Sequence, residues 1–110
     1  MIAPGLKTAA ENLFGSAALL TPVEIRTPET LLGTNTRDAL LSGIVYGHAF
    51  MLQAMLQRLK TQYFELKDIV TIATGGISDL VKPLVPALDV VDRTLTLDGI
   101  WLAWRYLAQA

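Results

Sequence analysis

Residues 33–36, Gly-Thr-Asn-Thr, place two hydroxyls and a carboxamide at the mouth of a helix. Glycine and asparagine favour a turn there, and Thr36 then stands where the helix starts. A hydroxyl at that point can cap the first free backbone N–H groups. It can equally meet a polar or anionic ligand in company with those amides. Behind it, Ala39, Gly43 and Gly47 recur every four residues, so one helix face is nearly bare backbone. Glycine weakens a helix, and close approach by another backbone is the natural compensation. The second candidate is Gly75-Gly76, which follows the apolar run Asp68–Thr74. Glycine there permits either a tight turn with positive φ or close approach of a nucleotide at the carboxyl end of a strand. Thr74 and Ser78 flank the pair as additional hydroxyls.

The remaining reactive types have simpler readings. His48 is the single histidine, on an apolar helix, and reads as a satisfied buried or interfacial residue. Asp89, Asp92 and Asp98 surround turns and helix starts, where capping accounts for them. Nothing pairs them as an acid and a base, so no residue is nominated as catalytic. Trp101 and Trp104, three apart, read as core or dimer packing before base stacking. With no cysteine and one histidine, an N/S metal site is not expected and no metal ligand is assigned.

Four helices and two strands, with their connectors, would have to position these groups. Leu6 to Leu20 has helical apolar spacing and is stopped by Thr21-Pro22. Val23–Arg26 is a short edge strand or an extended connector, and Thr27–Thr30 a loop or a short helical turn. A long helix should run from about Arg37 to Tyr63, with apolar residues nearly all round it between Ala39 and Leu56, the mark of a buried helix or a membrane span. Ser42, His48 and Gln53 within the run, and the lack of a strong basic flank, argue against the membrane. Asp68–Thr74 is a buried strand by composition, Ser78-Asp79 caps a short helix through Leu84, Leu88–Val91 is a second strand, and Leu97–Leu107 a last helix. Strand, helix, strand, helix indicates an α/β layer with parallel strands. Two strands make a poor sheet alone, so the chain reads as part of a larger α/β unit.

Composition agrees. The 110 residues, 1–110, fit one small domain, and 52% hydrophobic residues against 17% charged is apolar for a free-standing one. Some of that surface should meet another chain or domain. Nine scattered basic residues and a pI near 5.7 leave no electrostatic footprint for nucleic acid. Met1 is followed by Ile-Ala-Pro-Gly, so no secretory signal is expected.

Taken in order, IAPGL at 2–6, GTNT with SGIVYG at 33–47, IATGG at 72–76 and DVVDRTLTLDGIWLAW at 89–104 resemble the C-terminal part of a type III pantothenate kinase. The resemblance covers essentially the whole chain. It implies an actin-like ATPase (ribonuclease H-like) α/β fold, here helix-rich with a small, incomplete sheet. It also implies phosphorylation of pantothenate by ATP, the first step of coenzyme A synthesis, with Mg²⁺ and a monovalent cation (K⁺ or NH₄⁺), by a cytoplasmic homodimer. On the matching motifs, Thr36 would contact pantothenate, Gly75 and Gly76 would border the adenosine side of the nucleotide cleft, and the helix from Lys7 to Leu20 would lie near the dimer interface. The family's N-terminal half holds an Asp-x-Gly-Asn phosphate loop, the catalytic aspartate and the cation-binding aspartate. This chain shows no counterpart of them and opens within what is a GG-x-IAPG motif in the family. The resemblance therefore implies a missing N-terminal half as partner, and a fragment that is inactive alone. The alternative is a noncatalytic dimerisation or assembly module.

Overall fold

A computed structural model describes residues 1–16, 20–63, 65 and 68–109. They form two compact units, Met1–Leu52 and Gln53–Ala110.

In the first unit, helix α1 spans Leu6–Ser16. It opens at the expected Pro4-Gly5 turn, where the Ala9 N–H donates to the Gly5 carbonyl at 2.8 Å. Its expected continuation over 17–19 lies outside the described residues, and Leu20 is not helical. Leu6 and Ala10, one turn apart, are its buried positions. Residues 23–26 form no strand, which leaves the connector of the two readings.

A continuous helical run follows: α2 (Thr36–Leu41), a π-helical turn (Ser42–Tyr46) and α3 (Gly47–Gln62). Its bounds lie within a residue of the Arg37–Tyr63 span expected. Among the described residues it is the one helix long and apolar enough by composition to cross a membrane. It is not buried all round, however. Leu41, Val45 and Ala49, four apart, form the buried stripe with Ile44, and α1 packs on the π-helical turn. Ala39, Gly43 and Gly47 are exposed, and a Cβ built on either glycine meets nothing within 4 Å. Among the described residues no backbone packs on Gly43 or Gly47, and only the Ala39 end of the stripe is met, by the chain at Gly33.

In the second unit, the run 68–74 pairs over Ile72–Ala73 alone (β1), against Val90–Val91 (β2). The pair is parallel, with Ile72 opposite Val90 and Ala73 opposite Val91. The expected buried strand is therefore short, and Val70 and Ile72 are 60% and 50% exposed. With no third described strand beside it, nothing extends the pairing or covers that face. Between the strands lie α4 (Ser78–Val81) and a 3₁₀ turn (Lys82–Leu84), where Pro83 cannot continue an α-helix. Val81, Val85 and Leu88 form this unit's buried cluster. Helix α5 runs from Leu95 to Ala108. The turn before it is tied by Asp92, whose Oδ1 accepts from the Thr94 N–H at 2.9 Å, while the Thr94 hydroxyl donates to Asp98 at 2.8 Å. Asp92 and Asp98 therefore tie the turn through Thr94, and neither caps α5, whose N-terminal flanking residue makes no side-chain cap hydrogen bond. On α5, Ile100, Trp101, Leu102, Trp104 and Leu107 are all more than half exposed, and the Arg105 guanidinium lies 4.7 Å from the Trp101 ring centroid. The tryptophans are not in the core of this chain.

Asp89 is not a cap. Its Oδ2 accepts from Lys60 Nζ at 2.7 Å, the Thr71 N–H at 2.7 Å and the Thr71 hydroxyl at 2.8 Å. Gln53, seven residues before Lys60 and so on the same helix face, accepts the Ala87 N–H at 2.8 Å. One carboxylate therefore joins the second half of α3 to both strands. Lys60 first, then the two Thr71 donors, hold its carboxyl well below the usual carboxylate range. The folded-state value is depressed, so the stabilisation is complete above the unfolded value of about 3.9 and fades as pH falls below it. Asp89→Asn should lower the melting temperature at neutral pH, and its deficit against the parent should shrink steadily below about pH 4. Thermal melts followed by circular dichroism across that range check this; a constant deficit would remove the charge from the account.

Candidate functional site

The cap of α2 is Asn35, with extended backbone at φ −136°, ψ 166°. Its Oδ1 accepts from the Asp38 N–H at 2.9 Å, and its Nδ2 donates to Asp38 Oδ2 at 2.7 Å. This reciprocal pairing at i and i+3 does the work of a capping box. Thr36 is consequently the first helical residue. It is exposed, and among the described residues its hydroxyl makes no hydrogen bond. Of the two roles open to it, capping has gone to its neighbour.

The segment leading to Thr36 is fastened to the helix it precedes. A Cβ built on Gly33 would stand 2.2 Å from the Ala39 nitrogen and 2.5 Å from the Asp38 carbonyl carbon. The chain can therefore cross the start of α2 only as glycine. The buried Ser42 hydroxyl donates to the Leu31 carbonyl. One turn on, the Tyr46 hydroxyl donates to the carbonyl of buried Pro28 at 3.1 Å, and its ring stacks on Phe50 with centroids 5.8 Å apart. Both anchors come from the π-helical turn, a departure from α-geometry that recurs at functional sites. Beside Thr36 is a cleft of about 320 Å³ lined by Thr21, Val23, Thr36, Arg37 and Leu40.

In the second unit, Gly75 has φ 101°, which favours glycine on backbone grounds alone. Its carbonyl accepts from the Ser78 hydroxyl at 2.5 Å and the Ser78 N–H at 3.2 Å. Ser78 therefore closes the turn instead of capping α4, whose N-terminal flanking residue is Ile77 with no side-chain cap. Gly76 is exposed, and a Cβ there meets nothing within 4 Å. Asp79 of α4 pairs with Arg93 at 2.8 Å. Thr36 and the glycine pair belong to different units, and each stands on its own local geometry.

His48 lines a groove of about 390 Å³ with Gly43, Gly47, Met51 and residues of α1. Partial burial pushes its imidazole below the ordinary histidine value. Among the described residues no three His, Cys, Asp or Glu side chains stand together as a metal site, so no step is assigned to a cation held by this chain.

These features coincide with a family. The model of type III pantothenate kinase matches residues 1–58, and the chain belongs to that family. It is 40% identical over 99 residues to the type III pantothenate kinase of a Thermus thermophilus strain, covering 90% of this chain and 38% of the relative. With the Acidobacterium capsulatum protein of that name it shares 40% identity over 104 residues, 94% of this chain and 38% of the relative. With the Halalkalibacterium halodurans protein it shares 36% over 105 residues, 96% and 41%. The chain spans about two fifths of the length of the curated relatives it matches.

Thr36 is the cap expected from the sequence; the cap is Asn35, and the signal for it is an asparagine followed three residues later by Asp38. The close approach at Gly33 and the anchors from Ser42 and Tyr46 carried no local signal, because each joins residues that only the folded loop brings together. Ser42→Ala leaves the Leu31 carbonyl without its donor and should cost about 1–3 kcal/mol. Gly33→Ala, which forces the loop off the helix, should cost at least about 2 kcal/mol. Hydrogen exchange should show both variants deprotecting residues 31–38 while the middle of α3 keeps its protection. Uniform deprotection would mean the anchors serve the whole unit instead of the loop.

Proposed function

We propose that this chain supplies the C-terminal part of an ATP-dependent pantothenate kinase, the phosphotransferase that opens coenzyme A synthesis. Residues 1–110 act as one piece of an actin-like ATPase domain, in the cytoplasm, within a homodimer completed by an N-terminal half. One observation carries the reading of the site. In a member of this family, the exposed Thr36 hydroxyl is released from capping by Asn35 and presented beside a small cleft. Thr36 contacts pantothenate. Gly75 and Gly76 border the adenosine side of the nucleotide: Gly75 holds the turn in its left-handed conformation, and the bare Gly76 leaves room for a base or sugar to approach the backbone. ATP is the phosphoryl donor, with Mg²⁺ and K⁺ or NH₄⁺ as cations. The groups that clamp phosphates and hold metal in phosphoryl transfer come from the complementary half, so the isolated chain binds but does not turn over.

The test is coupled ATP turnover with pantothenate, using the chain alone and mixed with the N-terminal segment of a close relative. The mixture should be active and the chain alone silent. Thr36→Ala in the mixture should raise the KM for pantothenate up to about tenfold, the worth of one hydrogen bond, with the KM for ATP unchanged. A mixture that folds and associates yet shows no pantothenate-dependent turnover refutes the kinase reading.

The exposed apolar side chains of α5 favour a second role beside the first, assembly. Sedimentation should find dimers or larger species at micromolar concentration. Gly43→Ala with Gly47→Ala separates packing from propensity. Each should stabilise the helix by about 1 kcal/mol, yet weaken association if another backbone rests on that stripe. A monomeric parent would count against assembly altogether, whereas variants that associate as well as the parent would clear the glycine stripe and leave α5 as the contact face.

A further inference from the structure

The cleft beside Thr36 contains more chemistry than one hydroxyl. Thr36, Arg37 and Leu40 share one sector of the helical run, since 36 and 40 are one turn apart and 37 and 40 are neighbours at i, i+3. Thr21 and Val23 line the other wall. They are two apart in a segment without helix, the spacing that puts both side chains on one side of an extended chain. The result is two hydroxyls, two aliphatic groups and one guanidinium around about 320 Å³, at the small end of the roughly 300–1,000 Å³ typical of ligand sites.

Arg37 is the unexplained member. It is exposed, and among the described residues it makes neither an ion pair nor a hydrogen bond. The adjacent Asp38 is no partner for it: neighbours at i, i+1 do not face each other on a helix, and the Asp38 carboxylate is turned to Asn35. A guanidinium stays charged at any physiological pH and offers a planar fork that matches a carboxylate.

We propose that Arg37 is a specificity-determining residue that receives the carboxylate of the substrate, while Thr36 and Thr21 meet its hydroxyl and amide groups and Val23 and Leu40 its branched aliphatic centre. The inference rests on the reading of Thr36 as a pantothenate contact and adds to it a direction and a second point of recognition. Pantothenate has a carboxylate at one end, hydroxyls at the other and a dimethyl-bearing carbon between them, so each lining group has a complement. The site therefore selects small acyclic hydroxy-amides that keep a free acid.

The test compares pantothenate with pantothenol, in which an alcohol replaces the carboxylate. Both are titrated into the isotope-labelled 110-residue chain and into Arg37→Ala, Arg37→Lys and Thr36→Ala, with folding checked by circular dichroism. The parent should bind pantothenate more tightly than pantothenol. Arg37→Ala should weaken pantothenate roughly tenfold or more and leave pantothenol unchanged. Arg37→Lys, which keeps charge and loses the fork, should fall between. Thr36→Ala should weaken both ligands alike. If Arg37→Ala affects both ligands equally or neither, or if millimolar pantothenate gives no saturable shift at residues 21–23 and 36–40, the Arg37 assignment is overturned. If Thr36→Ala affects neither ligand while Arg37→Ala discriminates, it is the Thr36 reading that falls, and the carboxylate anchor stands without it.

Discussion

The missing side chain at position 33 is the constraint on which the first unit's polar surface depends. Only hydrogen at that Cα lets the incoming chain lie against the backbone of Asp38 and Ala39. That crossing fixes the direction in which residues 34–36 enter the helix. Asn35 can then fold over the first turn and bond Asp38 from both ends of its carboxamide. Ser42 and Tyr46 secure the same segment farther back, at Leu31 and Pro28. The exposed threonine is thus held by covalent neighbours and by a loop that is itself tethered, so a polar group on the surface is presented from a defined frame.

Much of this was legible in the sequence, and the failures have physical causes. Helical periodicity placed the run Thr36–Gln62 almost to the residue, because apolar spacing and the Asn-Thr start report on the same local geometry. The parallel order of β1 and β2 followed from the alternation of strand and helix. Burial was misjudged. Val70 and Ile72 have β-strand chemistry, and Gly43 and Gly47 have packing chemistry, yet both faces are open among the described residues. Residue type records what a position is suited to meet, whereas exposure records what is there to meet it. Asp89 was misread for a different reason: its partners are 18 and 29 residues away, and no local pattern announces a carboxylate that joins two strands to a helix.

The two candidate sites differ in how they are built. At Gly75 a left-handed backbone is stabilised by Ser78 bonding back to the same carbonyl twice, so the turn closes within four residues. At Thr36 the frame draws on residues from Pro28 to Tyr46. A substitution near the glycine pair is therefore felt locally, whereas one anywhere along that longer span reaches the threonine. The membership of the chain in the type III pantothenate kinase family gives both sites a common context.

The bonds around Asp89 also bear on the order in which the second unit assembles. Thr71 and Asp89 are 18 residues apart, and the entropy of closing a loop rises only slowly with its length. Parallel strands normally wait on a long crossover, and long-range pairing is what slows folding. Here the turn at Gly75, the short α4 and the bonds between Thr71 and Asp89 lie inside one segment, and Lys60 adds to them from outside it. The register of β1 against β2 is consequently set by nearby residues, and the strand pair does not have to wait for any distant part of the chain to arrive.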